Sequence, residues 1–589
     1  MARAVRRETT PTLRPRRAEQ DFRAVGVDAT PQRDAAPQWS ACLRAPSRSH
    51  PRKPGPLLHV SAHLPLRRRE LVWGAFFAFA LLLSGATGAA DLRIALGGDV
   101  TSIDPHFHNL TPNNNIAEHI FETLVTKDPR SRLRPALAES WRAIDDTTWE
   151  FRLRKGVRFH DGSEFTAADV VFSLDRVPLV PNSPGPFTTY SKQITEKIVV
   201  EPHTIRLRTA APYPLMPNDM STIFIVSSRA AKGAATDDFN SGKAAIGTGP
   251  FKFVRYAKGD RIELARNDQY WGAKPAWDRV TFRIITSDPT RVAALFAGDV
   301  GAIENIPTAD VANLAKHADL GIYRTVSHRL MYLHLDSNRD KSPFATDKAG
   351  RPLDRNPLRD ARVRRAISKA INREALVERV MEGAAVATGQ LMPEGMFGYT
   401  PALKPERYDP DGARKLLAEA GYPEGFGLTL HGPNNRYVND EQVAQAIAQM
   451  LARAGIATRV DTMPASIYFS RGTKLEFSFM LVGWAADTGE VSSPLKALLA
   501  TFNKDKGMGA TNRGRYSNPA MDAVLEQALA TVEDAKREKL LQQATELAVN
   551  DLGVIPLYHQ HNLWAARRGI TYNARTDERT LAHEFRPQP

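Results

Sequence analysis

An α/β fold is predicted for the chain from Asp91 to the C-terminus of its 589 residues. Short strand-like runs alternate there with amphipathic helical stretches. Hydrophobic residues make up 42% of the chain, enough for a substantial core. After residue 90 there is no internal repeat or low-complexity tract, and no apolar run reaches the roughly 18 residues of a membrane span.

In chain order, Leu92–Leu96 reads as a short apolar strand and Thr148–Arg152 as an alternating one. The run Gly156-Val157-Arg158-Phe159-His160-Asp161-Gly162 ends in turn chemistry. Thr166 with Asp169 three positions on is a capping-box pattern ahead of Val170-Val171-Phe172. Val363–Met381 carries apolar residues at 363, 366, 367, 370 and 371, one stripe of a helix. Further helices are expected over Ala413–Ala420 and Gln442–Ala454, stopped by Gly421 and Gly455. Ile456–Val460 and Phe477–Val482 read as strands, and Met521–Val549 as one long amphipathic helix.

The formal charge of +14 is unevenly placed. Residues 1–70 hold 15 Lys/Arg against 6 Asp/Glu and residues 71–90 hold neither, so +9 lies before Asp91 and only +5 after it. A basic surface for nucleic acid is therefore not expected. Residues 1–66 read as a disordered basic leader. Arg67-Arg68-Arg69, the apolar run Leu71–Leu83 and the small residues Ser84 to Ala90 form the three zones of a signal peptide, 67–90. Its position so far into the chain points to a start assigned too far upstream, or else to a long basic leader. Leu83-Ser84-Gly85-Ala86 resembles a lipoprotein box with Ala where the lipidated Cys would stand, so a soluble periplasmic protein is expected rather than a lipoprotein. The single cysteine, Cys42, rules out an internal disulfide and a cysteine zinc site.

Motifs of common enzymes are missing: no Gly-x-Ser-x-Gly elbow, no phosphate loop ending in Gly-Lys-Ser/Thr, no His-Glu-x-x-His. Gly247-Thr248-Gly249-Pro250 lacks the third glycine of a nucleotide loop and reads as a β-turn. His106-x-His108 and His559-x-His561 lack supporting carboxylates, and Asp145-Asp146 falls in a turn. Neither a catalytic residue, a metal site nor a cofactor is expected.

An ordered series of motifs does stand out. Asp104-Pro105-His106, Phe121–Val125, Pro135–Trp141 and Trp149–Gly162 come first. Gly247–Phe251, Asn267–Gly272, Val363–Ile367, Tyr408-Asp409-Pro410, Gly421-Tyr422-Pro423, Gly483-Trp484, Tyr516–Pro519 and Ile555–Tyr558 follow. Over about residues 91–589 this series resembles the peptide/nickel-type (family 5) substrate-binding proteins of ABC importers, most nearly the dipeptide-, oligopeptide- or glutathione-binding members. The resemblance implies a two-lobed periplasmic binding protein fold (type II, cluster C-like) that closes on its ligand. It implies lobe I over 91–325, lobe II over 326–558, a return to lobe I over 559–589, and a hinge near Tyr332 and Tyr558. Trp141, Trp149, Gly156, Phe159 and Gly162 are expected to hold a strand-turn-helix in place.

A buried peptide needs opposite charges for its two ends. The resemblance implies Asp487, just after Gly483-Trp484, for the ammonium, and Arg436 for the carboxylate, with Tyr437 and Trp484 in the same ligand-binding set. Read from the residues alone, Asp487 could equally cap a turn, Arg436 could be solvated, and Trp484 could be core or pocket wall. After Asp487 comes Thr488-Gly489-Glu490, a departure similar to glutathione-binding members that makes a γ-linked or modified peptide the nearest alternative ligand. Nickel is not expected. The implied partners are a small peptide or peptide-like ligand and the permease of an ABC transporter, with the protein acting as a monomer. A periplasmic peptidase is the competing reading, but it would need an activated nucleophile or a metal-bound water. Docking on a chemoreceptor is compatible with the transport reading.

Overall fold

Two long strands, Leu320–Leu335 and Val554–Arg567, run antiparallel through the centre of the computed structural model, which describes residues 90–588. Leu320–Val326 pair with Arg567–His561, the ladder slips between Val326 and Leu330, and pairing resumes from Leu330 against His559. A second slip follows between Met331 and Tyr332, opposite Tyr558 and Pro556. Such slips bend a strand pair and sharpen its twist. The two strands thereby carry one 12-stranded sheet from a first half into a second.

In the first half, Phe251–Ala257, Arg261–Arg266, Arg279–Ile284, Asp91–Leu96 and Ala302–Glu304 lead in that order to Val554–Arg567. Asp91–Leu96 is parallel to both its neighbours. Its side chains Leu92, Ile94 and Leu96 pack with Phe251, Phe282, Trp564 and Phe585 in one core. A separate antiparallel sheet of Ala138–Asp145, Thr148–Leu153, Thr204–Thr209 and Ile194–Glu201 forms its own core around Phe151, Phe159 and Leu207. Trp149 is buried there and donates from Nε1 to the Tyr213 carbonyl at 2.9 Å, so the strand-turn-helix reading of that motif fits its packing. The following helix, Ala167–Arg176, starts as its sequence predicts: the Thr166 N–H donates to the Asp169 carboxylate at 3.0 Å.

The second half continues through Phe479–Ala485 and Phe426–Pro433, the latter flanked by Ile456–Met463 and Ala345–Thr346. Side chains alternate across this sheet. Met331, Leu333, Leu430 and Leu481 face Val363, Ile367, Leu417, Ile447 and Leu451 of three helices. Leu330, Tyr332, Met480 and Val482 face Tyr468, Leu525 and Leu541 on the other side.

Two expectations need correction. The stripe over 363–381 is not one helix: Ala361–Ala370 ends at Ile371, and Asn372 caps a new segment by accepting from the Ala375 N–H at 2.9 Å. The stretch 521–549 is two helices, Pro519–Ala530 and Asp534–Asn550, parted at Thr531. Thr248–Pro250 bend as a turn there would, without a closing hydrogen bond, since Pro250 has no N–H to donate. A Cβ on Gly247 would lie 1.9 Å from the Ile120 carbonyl oxygen, so close backbone approach requires glycine there.

Residues beyond Tyr558 return to the first half: Trp564, Tyr572, Ala582 and Phe585 all lie in its core. The signal peptide and leader readings fall on residues outside those described. Among the described residues, no helix is long and apolar enough to cross a membrane.

Candidate ligand-binding site

The tail segment Arg575–Thr580 crosses back beside the slipped strand pair and builds one side of a cavity of about 480 Å³. Glu578 fixes this crossing. Its carboxylate accepts from Arg329 Nε at 2.9 Å and Nη2 at 2.8 Å, and from Ser327 Oγ at 3.0 Å. Those donors outweigh burial and hold the Glu578 carboxyl down at about 2. Beside it, Arg575 pairs with Asp577 at 2.6 Å and donates to the Lys127 carbonyl at 2.9 Å.

The rest of the wall comes almost entirely from the first half. Phe121, Phe224, Tyr270 and Trp271 supply aromatic surface. Glu122 accepts from the Tyr270 hydroxyl at 3.0 Å and Trp271 Nε1 at 2.9 Å, and its burial still pushes its carboxyl up to about 7. Arg579 meets Glu118 at 3.3 Å, and Arg134 meets Asp128 at 2.8 Å.

From the second half, two residues reach this cavity: His328 and Asp487. Asp487 follows the strand Phe479–Ala485, and its side chain remains 61% exposed. Its nearest ionisable partner is His328 Nε2 at 3.7 Å, and burial lowers the pKa of that imidazole, disfavouring its charged form.

The neighbouring segment closes against the first half. Lys127 Nζ donates to the Asp487 carbonyl at 2.5 Å, and Asn218 Nδ2 donates to the Thr488 carbonyl at 2.7 Å. Gly489 has φ +79°, and a Cβ on it would lie 2.9 Å from the Ser131 carbonyl oxygen. Glu490 is buried and pairs with Arg537 at 2.7 Å. Thr488-Gly489-Glu490 is thus a docking and anchoring segment in this structure.

The other three predicted residues lie outside the wall of this cavity. Arg436 sits in an exposed loop over the face of Tyr437, 5.2 Å from the ring centre. Although exposed, it is surrounded by enough protein that lost hydration, followed by repulsion from Arg329, lowers its pKa. Its backbone N–H and that of Tyr437 both donate to Asp440, at 2.9 and 3.0 Å. Tyr437 donates to the Gly483 carbonyl at 3.1 Å, and Trp484 Nε1 donates to Ser493 Oγ at 3.2 Å. Arg436, Tyr437 and Gly483-Trp484 are therefore one neighbourhood, and Asp487 belongs to a second.

Sequence reading passed over Lys127, His328 and the run Arg575-Thr576-Asp577-Glu578-Arg579. The run was detectable, because five consecutive residues with four charges are unusual inside a folded tail. Nothing local marked Lys127 or His328.

His106 is buried and within 2.7 Å of the Phe224 carbonyl, beside the Arg176–Asp104 pair (2.6 Å). Among the described residues, no group of three His, Cys, Asp or Glu side chains is arranged to hold a metal.

A sheet shared by two halves, with a polar cavity beside the strands that join them, defines a two-lobed solute-binding protein of the periplasmic type. The model of the bacterial extracellular solute-binding proteins, family 5, matches residues 132–506, and the chain belongs to that family. It is 30% identical over 508 residues to the glutathione-binding protein GsiB of Escherichia coli O157:H7, covering 84% of this chain and 94% of that protein. Among solved structures it resembles the periplasmic binding protein DppA from Helicobacter pylori in complex with the peptide STSA. That match has TM-score 0.68 and 24% identity and covers 85% of this chain and 99% of the other. HbpA2 from Haemophilus parasuis matches with TM-score 0.73 at 22% identity, over 85% and 100% of the two chains.

Proposed function

We propose that this protein captures a small peptide or peptide-like solute in the periplasm and delivers it, as a monomer without cofactor, to the permease of an ABC importer. The observation that carries the ligand class is the free Asp487 carboxylate entering a cavity between the two lobes. A cavity of this size suits a ligand of two or three residues. In this reading Asp487 receives the ligand's ammonium. Arg436, on the same lobe as Asp487, receives a carboxylate, with Tyr437 and Trp484 as walls.

The lobes are taken as 91–325 and 326–558, with 559–589 returning to the first. The hinge is the stretch in which Val326–Tyr332 slip past Tyr558–His561. Glutathione or another modified peptide is the second reading, supported by the similarity to GsiB. In this reading the protein binds its peptide without cleaving it, in keeping with its membership of a solute-binding family.

Calorimetry on a panel of di- and tripeptides, glutathione included, tests this reading. Asp487→Asn keeps the size of the side chain and removes its charge. It is expected to weaken free peptides by about 30-fold to a few thousand-fold, the cost of leaving one charge of a buried pair unmatched. Equal affinity of variant and parent for free and N-acetylated peptide would overturn the assignment, and release of amino acids from the peptide would favour a peptidase.

A further inference from the structure

The ionisable groups around the cavity leave a remainder. Arg134 is paired with Asp128, Arg575 with Asp577, and Arg579 with Glu118. Glu122 is satisfied by Tyr270 and Trp271, and Glu584 lies 3.6 Å from Arg575. Among the described residues lining this cavity, Lys127 is the Lys or Arg without a carboxylate within 4.0 Å, and Glu122 and Asp487 are the carboxylates without a Lys or Arg; Glu122 is tied up by Tyr270 and Trp271, which leaves the exposed Asp487. The two are not scattered. The Lys127 ammonium touches the backbone carbonyl of Asp487 itself, at 2.5 Å.

Free charges of both signs at one point select a ligand that carries both signs at one point. The two termini of an ordinary α-linked dipeptide are separated by roughly 6 Å, since consecutive Cα atoms alone are about 3.8 Å apart. An α-amino-acid head joined to the rest through its side chain keeps ammonium and carboxylate on the same carbon. Resting on the peptide reading above, we infer that Lys127 and Asp487 together form a clamp for such a zwitterionic head, so that the preferred ligands are γ-linked peptides. Asp487 takes the α-ammonium, and Lys127 takes the α-carboxylate. Lys127 is half-buried, and its burial lowers its pKa while Asp487, Asp577 and Glu118 oppose that loss, so a ligand carboxylate arriving beside it meets a poorly hydrated cation. Because Lys127 comes from the first lobe and Asp487 from the second, the clamp is complete only when the lobes meet.

Calorimetry with γ-glutamylcysteinylglycine, its α-linked isomer and 4-aminobutanoyl-cysteinylglycine tests the clamp. The last compound keeps the amine and lacks only the α-carboxylate. The full chain as processed is expected to prefer the γ-glutamyl peptide over the aminobutanoyl analogue by about 10- to 100-fold, the range for a hydrogen bond to a charged group. Lys127→Gln is expected to bring the two ligands within about twofold of each other, and Lys127→Arg to retain most of the preference.

If the unsubstituted protein binds both ligands alike, the clamp is wrong, whatever any variant does. If Lys127→Gln weakens both ligands by the same factor, Lys127 is a strut between the lobes, and the inference is overturned. In either case Asp487-dependent binding of α-linked peptides would leave the proposed function standing. Binding of no peptide of either linkage would remove both.

Discussion

Asp219 shows how burial at the lobe boundary translates into pH dependence. It is 3% exposed, accepts from the Tyr213 hydroxyl at 2.6 Å, and follows Asn218, which holds Thr488 of the opposite lobe. Burial is the main cause that pushes its carboxyl up to about 8, against the pull of Tyr213, Lys496 and Lys127 and with repulsion from Glu490. Unfolding returns the group to its ordinary value of 3.8, so between those two limits the unfolded chain binds fewer protons than the folded one. Stability contributed by this site is therefore present at low pH and lost as pH rises towards 8. Asp219→Asn fixes the group in a neutral form. The stability of the parent relative to Asp219→Asn should fall by up to about 1.4 kcal/mol per pH unit from pH 5 to pH 8. Urea unfolding of both proteins across that range measures it, and parallel stability curves would show that Asp219 is ionised in the fold.

At the scale of elements, the helix Asp440–Arg453 buries Val443, Ile447 and Leu451 against Leu430 and Leu481 of the sheet and Ile367 of a neighbouring helix. Leu451→Ala, at a fully buried position, should cost about 2–5 kcal/mol, the loss of transfer energy plus the cavity left behind. Thermal or denaturant unfolding checks it, and a cost below 1 kcal/mol would mean that this interface collapses around the gap. This helix was legible almost to the residue because apolar periodicity and a stop glycine agree. Gly455, at φ +96°, ends it as the sequence suggests. The break at Ile371 was not legible, since it lies within an unbroken apolar stripe, whereas the one at Thr531 was passed over although the charged run Glu533–Lys539 interrupts the apolar residues there. Ile371 stays fully buried while its backbone turns to extended geometry, so the periodicity survives across a helix end. That Asp487 is a candidate could be read because a strand-end acid after Gly483-Trp484 sits in a recognisable motif, and the structure places it in the cavity wall. Lys127, 360 positions away in sequence, becomes its neighbour only through the long-range crossing of Leu320–Leu335 and Val554–Arg567.

For the whole molecule, the few polar contacts that join the lobes away from the paired strands set the balance between open and closed forms. Lys127, Asn218 and Ser131 meet residues 487–489, and Asn439 Nδ2 donates to Thr308 Oγ1 at 3.0 Å elsewhere along the boundary. Only the closed form contacts a ligand from both lobes, so ligand shifts the population towards it by as much as its affinity for the two forms differs. Small-angle scattering should accordingly show a smaller radius of gyration with saturating peptide than without it. Gly489→Val supplies the counter-test. A side chain there must enter the space of the Ser131 carbonyl oxygen, 2.9 Å from the new Cβ, and must also adopt φ +79°, where a β-branched residue is strained. Opening the lobes relieves the first problem at once. The variant should therefore keep its fold, bind peptide more weakly by about tenfold or more, and show a larger radius than the parent at the same peptide saturation. A Gly489→Val protein that binds as tightly as the parent and contracts by the same amount would show that residues 487–489 do not gate closure.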